Sequence, residues 1–121
     1  MSNDFEDFPV YQKALNFVRE INLLCKTSET AQFLFLKDQI RRASTSILLN
    51  IAEGSAKWNK KDKTNFYRIG LASATECVAA IDIFLAYDLI GNFQASELKA
   101  DLKDVTNGLQ ALIFYVNKRA K

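Results

Sequence analysis

Ile40-Arg41-Arg42-Ala43-Ser44-Thr45-Ser46-Ile47-Leu48-Leu49-Asn50-Ile51-Ala52-Glu53-Gly54 is the stretch whose pattern decides the fold. Ile40, Ala43, Ile47 and Ile51 recur at steps of three and four, and Leu36 and Phe33 extend the stripe upstream. That spacing is one face of an α-helix. A second stripe holds Gln39, Arg42, Ser46, Asn50 and Glu53, again at steps of three and four. At about 100° per residue it runs beside the apolar face rather than opposite it. Two readings fit. The stripe is either a partly buried hydrogen-bonded network that fixes register or a subunit contact, or the ordinary polar boundary of a helix. Leu48, Leu49 and Ala52 point away from the main apolar face. A single bundle needs about one apolar stripe per helix, so these extra residues suggest a second surface and self-association.

Working outward, Gly54 is expected to stop this helix by taking the left-handed conformation. Ser55 to Lys61 then reads as a basic loop around the only Trp, Trp58. Asn59 followed by Asp62 resembles a capping box, and a long helix should run from there to about Leu89. Its inward face reads Phe66, Ile69, Gly70, Ser73, Cys77, Ala80, Ile81 and Phe84. The small residues Gly70, Ala72, Ser73 and Ala74 point to a close helix approach, since Gly inside a helix costs about 1 kcal/mol relative to Ala. Glu76 falls in that region. A buried carboxylate needs a cation, so Arg41 or Arg42 is the expected partner. Gly91-Asn92 should end this helix and cap the next, whose seam is Leu98, Leu102, Val105, Leu109, Leu112 and Val116. Phe114 and Tyr115 lie beside that seam.

Upstream, Pro9 suits the first turn of a helix. Val10, Ala14, Val18, Ile21 and Cys25 continue it to about Lys26. Thr27-Ser28-Glu29-Thr30 is a polar break in which Ser28 or Thr30 can cap the second helix. Nothing in the chain alternates with period two, and short connections make successive helices antiparallel neighbours. The expected fold is therefore all-α, an antiparallel up-down four-helix bundle, as one domain over residues 1–121.

Composition narrows the function. The chain has 121 residues, is 49% hydrophobic and 12% aromatic, and contains no His. That length buries an adequate core, and the aromatic content argues against disorder. Without His, the side chain most used for proton transfer and metal binding near neutral pH is missing. There is no phosphate-cradling Gly loop, no metal-ligand cluster and no nucleophile with a plausible base. Nothing fixes Glu53 and Glu76 as paired acids. The expectation is a non-enzyme with no catalytic residues, no cofactor and no metal. Cys25 and Cys77 are isolated and read as reduced core thiols. No apolar run approaches 18 residues, so no membrane span is expected. The acidic start does not read as a signal peptide, so a cytoplasmic location is expected.

Charge is informative by position. The net charge is +2. Asp4, Glu6 and Asp7 make the start acidic. Lys57, Lys60, Lys61 and Lys63 surround Trp58, and Lys118, Arg119 and Lys121 close the chain. Clustered cations attract phosphate, and an indole can stack on an unpaired base. These eight residues are the candidate nucleic-acid contacts. Equally, the cations can be a solvated face and Trp58 a cover for a bundle end.

The block Ile40-Arg41-Arg42-Ala43-Ser44-Thr45-Ser46-Ile47 with Asn50-Ile51-Ala52-Glu53-Gly54 resembles the central signature of the four-helix-bundle proteins encoded in intervening sequences of bacterial 23S ribosomal RNA genes. Asp4-Phe5-Glu6-Asp7, Val10-Tyr11-Gln12-Lys13-Ala14 and Ser73 to Glu76 fit the same pattern. Leu48 departs from it, because the family often has Pro there, and helix two should be unbroken at that point. The resemblance implies a ring-like homopentamer. It also implies kinship with the accessory variability determinants of diversity-generating retroelements, pentameric barrels with basic surfaces that bind nucleic acid and a reverse transcriptase. It marks Arg41, Arg42, Ser46, Asn50, Glu53 and Glu76 as signature positions and favours a structural network over a catalytic one. RNA or DNA is the expected partner, and a protein partner such as a polymerase is the alternative.

Overall fold

The computed structural model describes residues 4–27 and 33–119. A short 3-10 turn, Asp4–Asp7, leads into α1 (Pro9–Thr27), α2 (Leu34–Ala56), α3 (Lys60–Ala86) and α4 (Asn92–Arg119). The described chain contains no strand. The helices run up and down around one core, with α2 against α3, α3 against α4, and α1 against both α2 and α4. The four-helix bundle expected from the periodicity is the fold.

The core gathers the inward stripe of every helix. Phe17, Ile21, Ile40, Ile47, Ile51, Ile81, Phe84, Leu102, Val105 and Leu109 are its largest apolar side chains removed from water. Non-directional burial of this kind is the main term favouring the fold. In α1 the inward set is Val10, Ala14, Phe17, Ile21, Leu24 and Cys25. The expected Val18 is only half-buried, because the stripe passes through Phe17. In α3, Tyr67 is buried and Ile69 is exposed, which reverses the expected order.

The deciding stretch sets how α2 meets α3. Ser46 Oγ lies 2.8 Å from Ser73 Oγ. A Cβ placed on Gly70 would lie 3.7 Å from Asn50 Cβ, and one placed on Gly54 would lie 2.7 Å from Tyr67 Cε1. Positions 46, 50 and 54 thus meet 73, 70 and 67 in antiparallel order. A row of every fourth residue on one helix fits a row of every third on the other. This is the ridge-and-groove class that crosses at about 20° and characterises four-helix bundles.

Helix ends differ from expectation in two places. Gly54 does not stop α2, which continues to Ala56, with extended Lys57 after it. No glycine has positive φ. Gly54 is required instead by the close approach to Tyr67 and to the Lys63 carbonyl, 3.2 Å from a built Cβ. At the α3–α4 corner the left-handed residue is Asp88 (φ 58°), not Gly91. That corner shortens α3 to Ala86. The Asn59 cap is as expected: Asn59 Oδ1 accepts from the Asp62 N–H at 2.8 Å, and Asn59 Nδ2 donates to Asp62 Oδ2 at 2.9 Å. The suggested caps Ser28 and Thr30 lie outside the described residues. Leu48 sits within an uninterrupted α2.

By length and composition alone α3 is apolar enough to pass for a membrane span, with a mean hydropathy of 1.7 over its most apolar window, as core helices of bundles also do. A search for unbroken apolar runs misses this, because Ser, Thr, Glu and Asp interrupt the run without offsetting its mean. Part of that apolar character is the face α3 buries against α2 and α4.

Candidate functional site

The up-down topology brings the start of α1, the α2–α3 connection and the end of α4 to one end of the bundle. Asn117 Nδ2, in the last turns of α4, donates to Thr64 Oγ1 at the start of α3 at 3.1 Å and fixes that juxtaposition. Lys57, Lys60, Lys61 and Lys63 therefore share an end with Lys118. Arg119 closes α4 there, and Lys121 lies outside the described residues.

The cations differ in how they are held. Lys57 pairs with Glu53 at 3.5 Å and sits over the Phe66 ring, 5.3 Å from its centroid. Lys118 sits 5.8 Å from the Phe114 centroid. Lys63 Nζ donates to the Ser55 carbonyl at 3.1 Å and reaches the Gly54 carbonyl at 3.5 Å. It thus covers the carbonyl end of α2, where a cation is favoured by the helix dipole. Lys60 and Lys61 are exposed, and among the described residues neither pairs with a carboxylate. Trp58 is 93% exposed and so is not buried as a cover for the bundle end. The acidic start lies at this same end, so positive and negative charge are not segregated as the sequence alone suggests. Asp4 lines the same cleft as Lys60 and Lys63.

That cleft has a volume of about 960 Å³. Phe5, Phe8, Tyr67, Leu112, Tyr115 and Val116 make its apolar walls, and Ser55, Ala56, Trp58, Lys60, Lys63 and Asp4 complete it. Tyr67 Oη and Ser55 Oγ lie 3.0 Å apart, and Ser55 Oγ also donates to the Ile51 carbonyl at 2.7 Å. Burial pushes the Tyr67 phenol up, and the Ser55 hydrogen bond pulls it back in part. Sequence reasoning misses Tyr67 because the apolar Phe66 and Ile69 draw the stripe to one side of it. The steps of three from Thr64 through Tyr67 to Gly70 and Ser73 are the signal that finds it.

The polar stripe divides. Ser46, Asn50 and Ser73 form a network: Asn50 Nδ2 donates to the Ser46 carbonyl at 2.8 Å and to Ser46 Oγ at 3.1 Å, while Ser73 Oγ approaches the Ile69 carbonyl at 3.0 Å. Gln39, Arg42, Glu53 and Glu76 are exposed, and Arg41 is half-buried. Among the described residues no ion pair joins Glu76 to Arg41 or Arg42, so the expected docking pair is not formed within the chain. Glu76 shares its turn with small residues but lies on their solvent side. Cys25 and Cys77 are free and buried. Burial raises both thiols, Cys77 to about 12, which keeps them protonated and unreactive.

Residues 6–111 match the model of the 23S rRNA-intervening sequence proteins. The chain belongs to this family. A solved structure similar to it is that of a protein of unknown function from the S23 ribosomal protein family of Bacteroides thetaiotaomicron. It is 26% identical, covers 86% of this chain and 94% of its own, and superposes with a TM-score of 0.79. No curated protein matches the chain. The matched region of this 23S rRNA-intervening sequence protein takes in the α2 signature and the Ser46–Asn50–Ser73 network. It stops short of the last turns of α4, where Tyr115 and Val116 line the cleft and Lys118 adds its charge.

Proposed function

We propose that the protein is a non-enzymatic, homo-oligomeric bundle that binds RNA or DNA through phosphate contacts at its lysine-rich end. The observation carrying this reading is the convergence of Lys57, Lys60, Lys61, Lys63 and Lys118 there, with Lys60 and Lys61 exposed and unpaired. An ammonium group is a compact point charge suited to phosphate, and phosphate contacts carry no sequence information. Binding is therefore salt-sensitive and weakly sequence-selective. Repetition of the end in an assembly, a five-fold ring by the resemblance above, multiplies a modest patch through multivalency. Exposed Leu49, Ile69 and Ile83 on α2 and α3 supply an apolar surface for that assembly.

The test is fluorescence anisotropy with generic RNA and single-stranded DNA at low salt, alongside mass by light scattering. Lys60→Gln with Lys61→Gln weakens binding and flattens the log–log salt dependence by about 0.7–0.9 for each phosphate that is no longer neutralised. Absence of binding at micromolar oligomer overturns the nucleic-acid reading, and a monomer at high micromolar concentration overturns the assembly. The same apolar surface favours the second reading, a scaffold for a protein such as a polymerase or reverse transcriptase. In that case the double substitution leaves partner capture intact.

A further inference from the structure

We propose that the cleft at the lysine-rich end seats one unpaired base, so that the protein selects single-stranded over duplex nucleic acid. The inference rests on the phosphate-binding reading above and adds a site to it. A volume of about 960 Å³ is within the range of small-ligand sites, roughly 300–1,000 Å³. Aromatic and aliphatic walls are joined by the polar side chains of Asp4, Ser55, Lys60 and Lys63. A base stacked on Trp58 at the rim places its flanking phosphate beside Lys60 and Lys63. Lys63 commits donors to the Ser55 and Gly54 carbonyls. An ammonium group has three, which leaves one for a phosphate oxygen.

Asp4 favours a base over a second phosphate. Its carboxylate in the lining repels phosphate and accepts from base N–H groups. The Tyr67–Ser55 hydrogen bond holds the floor in place. Duplex bases are stacked and paired, and cannot enter without first being extruded. Positive charge alone does not discriminate in this way, because a duplex presents the denser phosphate array.

Trp58 is the only Trp, so indole emission reports on this cleft. The full-length protein is titrated at low salt with a short single-stranded RNA, the same sequence as a duplex, and the single strand carrying abasic positions. The single strand quenches Trp58 and binds roughly tenfold or more tightly than the abasic strand, and the duplex leaves the emission unchanged. In anisotropy, Trp58→Ala lowers single-strand affinity by a similar factor and spares duplex affinity, while Trp58→Phe restores most of the loss. Ala56→Phe, which fills the cleft from its lining, repeats the Trp58→Ala result by another route. Equal affinity for all three nucleic acids with unchanged emission overturns the base site and leaves the phosphate-contact reading standing. No binding of any of them overturns both. Quenching by an aromatic peptide but by no nucleic acid also overturns the proposal and assigns the cleft to a protein partner.

Discussion

Gly54→Val destabilises the protein by about 3 kcal/mol or more, the upper range for forcing extra atoms into a filled interior. A Cβ at this position meets Tyr67 Cε1 at 2.7 Å, Tyr67 Cδ1 at 2.9 Å and the Lys63 carbonyl at 3.2 Å. None of the three yields easily. Tyr67 is 2% exposed, its hydroxyl is tied to Ser55, and the carbonyl is backbone in the first turn of α3. Relief requires α2 and α3 to separate at this level. Gly54→Ala shows a smaller loss, because the clash is offset by up to about 1 kcal/mol of helix propensity. The expected fall in melting temperature for Gly54→Val is roughly 10 °C or more, read by circular dichroism. Gly91→Ala is the control. Nothing lies within 4 Å of a Cβ there and its φ is not positive, so it is neutral or slightly stabilising. Pairing Gly54→Ala with Tyr67→Leu tests the mechanism, since a smaller side chain at 67 should recover part of the loss as a coupling energy between the two sites. Additive losses would place the strain elsewhere. Tyr67, Lys63 and Ser55 all line the cleft, so Gly54→Val should also weaken single-strand binding.

Much of this architecture is legible in the sequence, and the reason is repetition. Ile40, Ala43, Ile47 and Ile51 each vote for the same face, so an error at one position does not move the helix. The Asn59–Asp62 cap is legible because the interaction is local and needs no knowledge of the neighbouring helix. The failures share the opposite property. Gly54 invites a reading from its own conformational freedom, whereas its role is set by Tyr67 on another helix. Glu76 looks interior because of its small neighbours along the chain, but Gly70 and Ser73 face α2 while Glu76, like Ala72, is exposed. Of the polar stripe, Ser46 and Asn50 join Ser73. Gln39, Arg42 and Glu53 lie in exposed turns above and below them, and among the described residues no hydrogen bond joins them to α3. The lysine-rich end is legible as two separate clusters. That the Asp4–Asp7 turn delivers Asp4 to the same end, and that the three segments enclose a cleft, depends on the tertiary arrangement.

Stability should fall as pH rises from about 4.5 to about 7, and a single carboxyl should account for that fall. Glu20 on α1 is raised from 4.5 to about 7, chiefly by a hydrogen bond with Asp101 on α4, then by burial and by the charges of Asp101 and Glu97. Glu20 Oε2 is buried and, as a carboxylate oxygen, has no donor to accept from among the described residues. Once protonated, Glu20 can donate to Asp101. In this window the folded chain holds a proton that the unfolded chain has released. Stability therefore declines with increasing pH, the reverse of the behaviour of a salt-bridged carboxylate. The contribution is fully present below 4.5 and lost once pH has passed through 7. The site is partly open to solvent, so screening reduces the effect to about 1–2 kcal/mol across the window. Glu20→Gln keeps a donor toward Asp101 without the titration. The variant should match the native protein near pH 4.5, exceed it by that amount at pH 8, and remove this component from the melting-temperature profile. Identical pH profiles for the two proteins would show that Glu20 does not take up a proton in this window. A native protein that is more stable than Glu20→Gln at pH 8 would show that the Glu20 carboxylate is satisfied by a cation rather than opposed by its neighbours.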